Sequence, residues 1–138
     1  MIHPTELCAI ALQARERAYC PYSGFAVGAA LVCSDGTVFS GCNIENAAFG
    51  PSICAERTAV SKAISEGHFD FAALAVAGAV AGQMPEKICP PCGVCRQVLR
   101  EFCPDDFPIY LSKGGENYQA TTLGELLPES FQAKEQFK

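Results

Sequence analysis

Hydrophobic and polar positions along the 138-residue chain change period several times, and each change marks an element. From Thr5 to Tyr19 the apolar residues Leu7, Ile10, Ala11, Ala14 and Ala18 recur at helical spacing, which predicts a helix ended by Pro21. Two β-rich runs follow, Ala26–Cys33 and Thr37–Cys42, joined through Ser34-Asp35-Gly36. Asp-Gly between apolar runs is a strong hairpin signal. Periodicity then lapses from Asn43 to Ile53, a loop carrying Gly50 and Pro51. Cys54 to Glu66 is alanine-rich, with Thr58, Lys62 and Ser65 along one side, and Gly67 stops it as a helix. Phe71–Val80 is a continuous apolar run suited to a buried strand.

A second irregular stretch, Ala81–Pro91, contains Gly82, Pro85, Pro90 and Pro91. Beyond it, Gly93–Phe102 reads as a helix, Ile109–Leu111 as a short strand, and Leu123–Leu127 as a helical turn before Pro128. The order is α β β α β α β α, an α/β layered domain with a mixed sheet. No repeat, low-complexity tract or linker divides the sequence, so a single domain spanning 1–138 is expected. Of the two histidines, His68 follows Gly67 and is expected in solvent, and His3 near a frayed terminus.

Composition adds two constraints. Hydrophobic residues make up 49% of the chain and charged residues 18%, which excludes disorder. The charged fraction is below the roughly 25% of an average protein and points to apolar surface covered by a partner subunit. Ten Lys and Arg against 15 Asp and Glu give a net charge of −5, which argues against a long nucleic acid as ligand. No apolar run approaches the roughly 20 residues that span a bilayer, and no signal-peptide pattern precedes Cys8, so a soluble, cytoplasmic protein without membrane partners is expected.

Nine cysteines are the anomaly. An odd count without a secretory signal does not read as a disulfide framework, which leaves buried thiols, a metal site or a catalytic thiol. With two histidines in the chain, a metal site must lean on sulfur. The informative cysteines open the two central helices: Cys54 in Ser52-Ile53-Cys54-Ala55-Glu56-Arg57, and Cys92 and Cys95 in Pro91-Cys92-Gly93-Val94-Cys95-Arg96-Gln97. A Cys-x-x-Cys pair is spaced to hold one zinc ion, and Cys54, 38 positions upstream of Cys92, supplies a third ligand if a strand brings the two helix mouths together. Three protein ligands leave a fourth position for water, the mark of a catalytic site.

Glu56 can share that site only if Cys54 lies at the helix entry, since residues i and i+2 of a regular helix point to nearly opposite sides. The same geometry directs free backbone N–H groups, Ala55's among them, into the site. Three thiolates on Zn²⁺ leave net negative charge, which two helix N-termini and a hydrogen bond from Arg57 would offset. Taken alone, Cys92-x-x-Cys95 also fits a structural zinc knuckle or a redox pair, and a Cys89/Cys92/Cys95 cluster is formally open. Cys8, Cys20, Cys33, Cys42 and Cys103 read as buried thiols.

Cys54-Ala55-Glu56-Arg57-Thr58 with Pro91-Cys92-Gly93-Val94-Cys95-Arg96-Gln97 resembles the small-subunit cytidine deaminases of pyrimidine salvage. The resemblance extends to Pro21-Tyr22-Ser23-Gly24-Phe25-Ala26-Val27-Gly28-Ala29-Ala30, to Gly41-Cys42-Asn43-Ile44-Glu45-Asn46-Ala47 and to Leu126-Leu127-Pro128-Glu129-Ser130-Phe131, nearly the whole chain in order. It implies a three-layer α/β/α fold on a mixed five-stranded sheet, with one Zn²⁺ per subunit on Cys54, Cys92 and Cys95. It implies Glu56 as the proton shuttle while hydroxide attacks C4 of cytosine, giving uridine or deoxyuridine and ammonia.

The resemblance further implies that Asn43 and Glu45 bind the ribose, Phe25 packs on the base, and the Ala55 N–H donates to the pyrimidine carbonyl. Phe131 then completes a neighbouring subunit's site within a homotetramer. A carboxylate at Glu45 disfavours a 5′-phosphate and so favours a nucleoside. Read without the resemblance, Asn43 and Glu45 fit a capped loop and Phe25 and Phe131 fit core aromatics. Phe49 departs from the family, where an aromatic with a hydroxyl is common.

Overall fold

The alternation of side chains along the first long strand sorts the molecule into layers. In β1 (Phe25–Cys33), Ala29, Leu31 and Cys33 join one buried cluster while Ala30 and Val32 join another on the opposite face. The computed structural model describes residues 1–137; Lys138, the last residue of the expected domain, lies outside the described residues. Helix α1 (Pro4–Ala14) covers the second cluster, and α2 (Ala55–Ser65) and α3 (Gly93–Phe102) contribute to the first. The result is the expected three-layer α/β/α arrangement.

The sheet has five strands in the order β2-β1-β3-β4-β5, with β2 at Val38–Cys42, β3 at Phe71–Val80, β4 at Pro108–Gly114 and β5 at Asn117–Thr122. Three of its pairings are antiparallel and β3–β4 is parallel, so the sheet is mixed. The β1–β2 hairpin turns on Asp35-Gly36, where Gly36 has φ +92° and the Asp35 carboxylate accepts the Thr37 N–H at 2.9 Å. Because β2 and β3 both run antiparallel to β1, the helices that follow them open at the same end of the sheet. Gly28 marks that end, opposite Cys42 on one side and Ala77 on the other.

Two close approaches set the helices on the sheet. A Cβ at Gly28 would stand 2.0 Å from the Ala11 carbonyl, and one at Gly41 would stand 2.6 Å from both the Ala55 carbonyl and the Ala59 nitrogen. Helix α2 ends with Gly67 at φ +87°, where Gly67 N–H bonds the Ile64 carbonyl and His68 N–H bonds the Ala63 carbonyl. That is a Schellman stop, which supports the reading of Gly67 as the terminator.

Four local expectations are corrected. The first helix stops at Ala14 rather than Tyr19, passing into a 3₁₀ turn at Arg15–Arg17. Tyr19 leaves the helical path because its N–H donates to the Asn43 carbonyl and its carbonyl accepts from Glu45. The short strand expected at Ile109–Leu111 is longer, Pro108–Gly114, and pairs with β5, which the apolar pattern does not announce. Asn117-Tyr118-Gln119-Ala120-Thr121-Thr122 is an edge strand with half its residues exposed and only Tyr118 and Ala120 apolar, too weak a pattern to announce a strand. His3 is no frayed residue: its Nδ1 caps α1 by accepting the Thr5 N–H at 3.1 Å. His68 is half-buried, with its ring edge-on to Phe39 and its Nε2 3.1 Å from Asp35.

Candidate metal centre and active site

Cys54 and Cys92 are the residues at which extended chain becomes helix. Each has extended backbone (φ −78°, ψ 156° and φ −66°, ψ 167°), and neither helix start has a side-chain cap. This is the entry position that a shared site with Glu56 requires. The Thr58 hydroxyl, 3.0 Å from the Cys42 carbonyl and 3.3 Å from the Cys54 carbonyl, ties the end of β2 to the mouth of α2.

The three sulfurs converge. Cys54 Sγ lies 3.8 Å from Cys92 Sγ, and Cys92 Sγ lies 3.6 Å from Cys95 Sγ. Among the described residues these three form the only cluster of at least three potential His, Cys, Asp or Glu ligands, with all ligand atoms within 4.8 Å of one another. Thiolates bound at about 2.3 Å to a tetrahedral ion stand about 3.8 Å apart, so the donor set and its spacing fit zinc. Arg57 Nη2 donates to Cys54 Sγ at 3.5 Å, placing a cation against the thiolates. The Cys54 thiol is drawn down to about 5, first by the hydrogen bond from Cys95 and then by that from Arg57. The same hydrogen bond to Cys54, aided by burial, pushes the Cys95 thiol up.

Glu56 completes the chemistry. It is 3% exposed, and its Oε1 is buried with no hydrogen-bond partner. Buried polar atoms are rarely left unpaired, so an orphaned carboxylate oxygen beside three thiols is a group held ready for a ligand. Burial is the main cause that raises its carboxyl to about 7, and proximity to Cys54 adds to it. A carboxyl poised near neutral pH can both take and give a proton.

Cys54, Cys92 and Glu56 line a cleft of about 560 Å³, of a size for a small organic molecule, with the Cys95 sulfur buried behind it. Asn43, Glu45 and Ala55 line it too. The Asn43 amide is locked to β1, accepting from Val27 N–H at 2.9 Å and donating to the Phe25 carbonyl at 2.8 Å. Glu45 accepts from the backbone N–H groups of Tyr22 and Ser23 and from the Ser23 hydroxyl, and these bonds hold its carboxyl below the usual range.

Phe25 and Phe131 are not brought to the cleft. The Phe25 ring lies over Gly78 and lines a neighbouring hollow with Val80 and Met84. Phe131 is 55% exposed, packed edge-on against Phe137, with its carbonyl bonded by Gln97. Cys89 is outside the thiol cluster, which removes the Cys89/Cys92/Cys95 alternative. Its sulfur packs on Gly78, where a Cβ would stand 2.6 Å from Sγ, and burial pushes its thiol up to about 11. Sequence reasoning missed Val27, Ser52 and Pro90 as lining residues, and Tyr22 and Ser23 as partners of Glu45. The Ser23 contact had no local signal, because it spans 22 positions of chain.

Fold and site together define an α/β domain whose two helix mouths carry a candidate three-cysteine metal centre beside a buried carboxylate. The sequence profile of the cytidine and deoxycytidylate deaminase zinc-binding region matches residues 1–111. The cytidine deaminase of Halalkalibacterium halodurans is 50% identical over 125 residues, covering 91% of this chain and 91% of that protein. The crystal structure of the cytidine deaminase from Burkholderia pseudomallei superimposes with a TM-score of 0.84 at 45% identity, covering 95% of this chain and all of that one. A blasticidin-S deaminase of Bacillus cereus is 31% identical over 105 residues, covering 74% of each protein. The chain belongs to the cytidine and deoxycytidylate deaminase family.

Proposed function

We propose that this chain hydrolyses the 4-amino group of cytidine and deoxycytidine, giving uridine or deoxyuridine and ammonia, as a step of pyrimidine salvage. The observation that carries the reading is the unpartnered, buried carboxylate of Glu56 beside the Cys54, Cys92 and Cys95 sulfurs. One zinc ion per subunit, held by those three cysteines, supplies the Lewis acidity that makes a water nucleophilic at neutral pH.

The chain's own residues manage the protons. Glu56 takes a proton from the attacking water and delivers it to N3 of the pyrimidine as the C4–oxygen bond forms. It then carries the second proton to the exocyclic nitrogen, the C4–nitrogen bond breaks, and ammonia leaves. Arg57 draws negative charge from the Cys54 thiolate, and the Ala55 N–H at the mouth of α2 donates to the pyrimidine carbonyl.

Asn43 and Glu45 hold the ribose hydroxyls from one wall of the cleft. Phe25 is assigned to the base face by resemblance alone, since its ring here lines the neighbouring hollow. The exposed Phe131 completes the cleft of a neighbouring subunit in a homotetramer, which the low charged fraction supports. We further read residues 1–138 as one domain acting in the cytoplasm, where nine free cysteines suit a reducing compartment. The net charge of −5 supports a small substrate over a polynucleotide, and no helix among the described residues is long and apolar enough to cross a membrane.

Ultraviolet absorbance of cytidine, deoxycytidine, cytidine monophosphate, single-stranded DNA and blasticidin S tests the reading with the wild type and Glu56→Gln. Turnover of the two nucleosides, with zinc retained and activity lost in Glu56→Gln, is the expected result. Near-normal deamination by Glu56→Gln removes the proton shuttle, and turnover of blasticidin S without either nucleoside replaces the substrate class.

A further inference from the structure

Of the three clustered thiols, Cys95 is fully buried and Cys92 is exposed. Packing fixes the first, whereas the second depends on its backbone for position. The Pro91 ring before it is fully buried, but local hydrogen-bond support for that backbone is thin. Pro90 and Pro91 precede it without N–H groups, and the α3 N-terminus has no side-chain cap. Arg96 supplies what is missing. Its backbone N–H donates to the Cys92 carbonyl at 3.0 Å, and its Nε donates to the Pro91 carbonyl at 2.7 Å. The carbonyls on either side of the Cys92 Cα are therefore held by one residue. The far end of the guanidinium is tied down as well, with Nη1 donating to the Leu126 carbonyl at 2.7 Å. That carbonyl belongs to the last residue of α4 (Leu123–Leu126). Hydrogen bonds from a cation are shorter and roughly twice as strong as neutral ones, so this brace is stiff.

We propose that Arg96 is the positioning residue of the metal centre. It sets the Cys92 sulfur against those of Cys54 and Cys95 and so governs how long the ion stays bound, without touching ion or substrate. The inference rests on the three-cysteine zinc site proposed above. Groups that orient metal ligands from behind typically change metal affinity by about 10–100-fold when removed.

The test uses the zinc-loaded protein and three variants. Arg96→Met keeps an apolar stem without donors, and Arg96→Lys keeps one cation that can reach a single carbonyl. Arg100→Met is the control: its guanidinium sits on the same helix but bonds the Cys103 carbonyl and Asp105 at the other end. Zinc release is followed with a chromogenic chelator, and the thiolate-to-metal charge-transfer band is read in the cobalt-substituted proteins. Release about 10–100-fold faster in Arg96→Met, intermediate in Arg96→Lys and unchanged in Arg100→Met is expected, with the cobalt band weakened at position 96 alone. Wild-type release and an unaltered band in Arg96→Met overturn the proposal. Equal acceleration in Arg100→Met also overturns it, because the loss then belongs to the whole helix. Where Arg96→Met does not fold, Arg96→Lys decides by the same two readouts. A wild type that holds no zinc defeats the zinc assignment itself, and this proposal with it.

Discussion

At Glu56 two demands meet in one carboxyl group. Burial raises it to about 7, so it can act as an acid, and the unpartnered Oε1 leaves it free to act as a base. Glu56→Gln keeps the shape and removes the proton. Deamination should fall by about 10²–10⁴-fold, the usual scale for a positioned acid–base group, while zinc content by metal analysis stays at the wild-type level. Cys95 makes the opposite prediction. Its side chain is fully buried, so Cys95→Ala should lose zinc in metal analysis and also lower the thermal midpoint. The placement of Cys54 at the entry of α2 with Glu56 in its first turn was legible in sequence, because their two-residue spacing lets them share a site only at a helix mouth, a local constraint. The partners of Asn43 and Glu45 were not, because Phe25, Val27 and Ser23 reach them only through folding.

Elements lie where they do partly because two glycines let helices touch strands. Gly41→Ala would drive a methyl group to 2.6 Å from the backbone of α2, the helix whose mouth carries Cys54. Overpacking of this kind costs about 1–3 kcal/mol. Chemical denaturation of Gly41→Ala should show that loss, and zinc release should quicken because α2 must shift. Gly28→Ala, with 2.0 Å to the Ala11 carbonyl, should lose stability by at least as much in the same titration without quickening zinc release, since α1 bears no ligand. Most elements could be read from apolar period alone. Among the strands the exception is β5, a polar edge strand whose place is fixed by pairing with β4 and not by its own pattern.

For the whole molecule, the sparse charge is matched by exposed Phe25, Val80, Met84 and Phe131. An isolated chain with these surfaces suits assembly with copies of itself. Phe131→Ala should therefore elute from gel filtration as a smaller species than the wild type, or lower kcat at unchanged size if the ring serves only the neighbouring cleft.

The shared orientation of β2 and β3 also dictates an order of events in folding. Cys92 and Cys95 are three residues apart and can meet in a nearly unfolded chain, but Cys54 joins them only after β3 has paired with β1 across a long loop. Loop closure makes such non-local pairing slow. High-affinity zinc capture by the three proposed ligands should thus come late and read out a completed sheet. In stopped-flow refolding, zinc uptake from a weak fluorescent chelator should lag the far-ultraviolet circular dichroism signal. Uptake that preceded the sheet would mean the ion nucleates the fold instead.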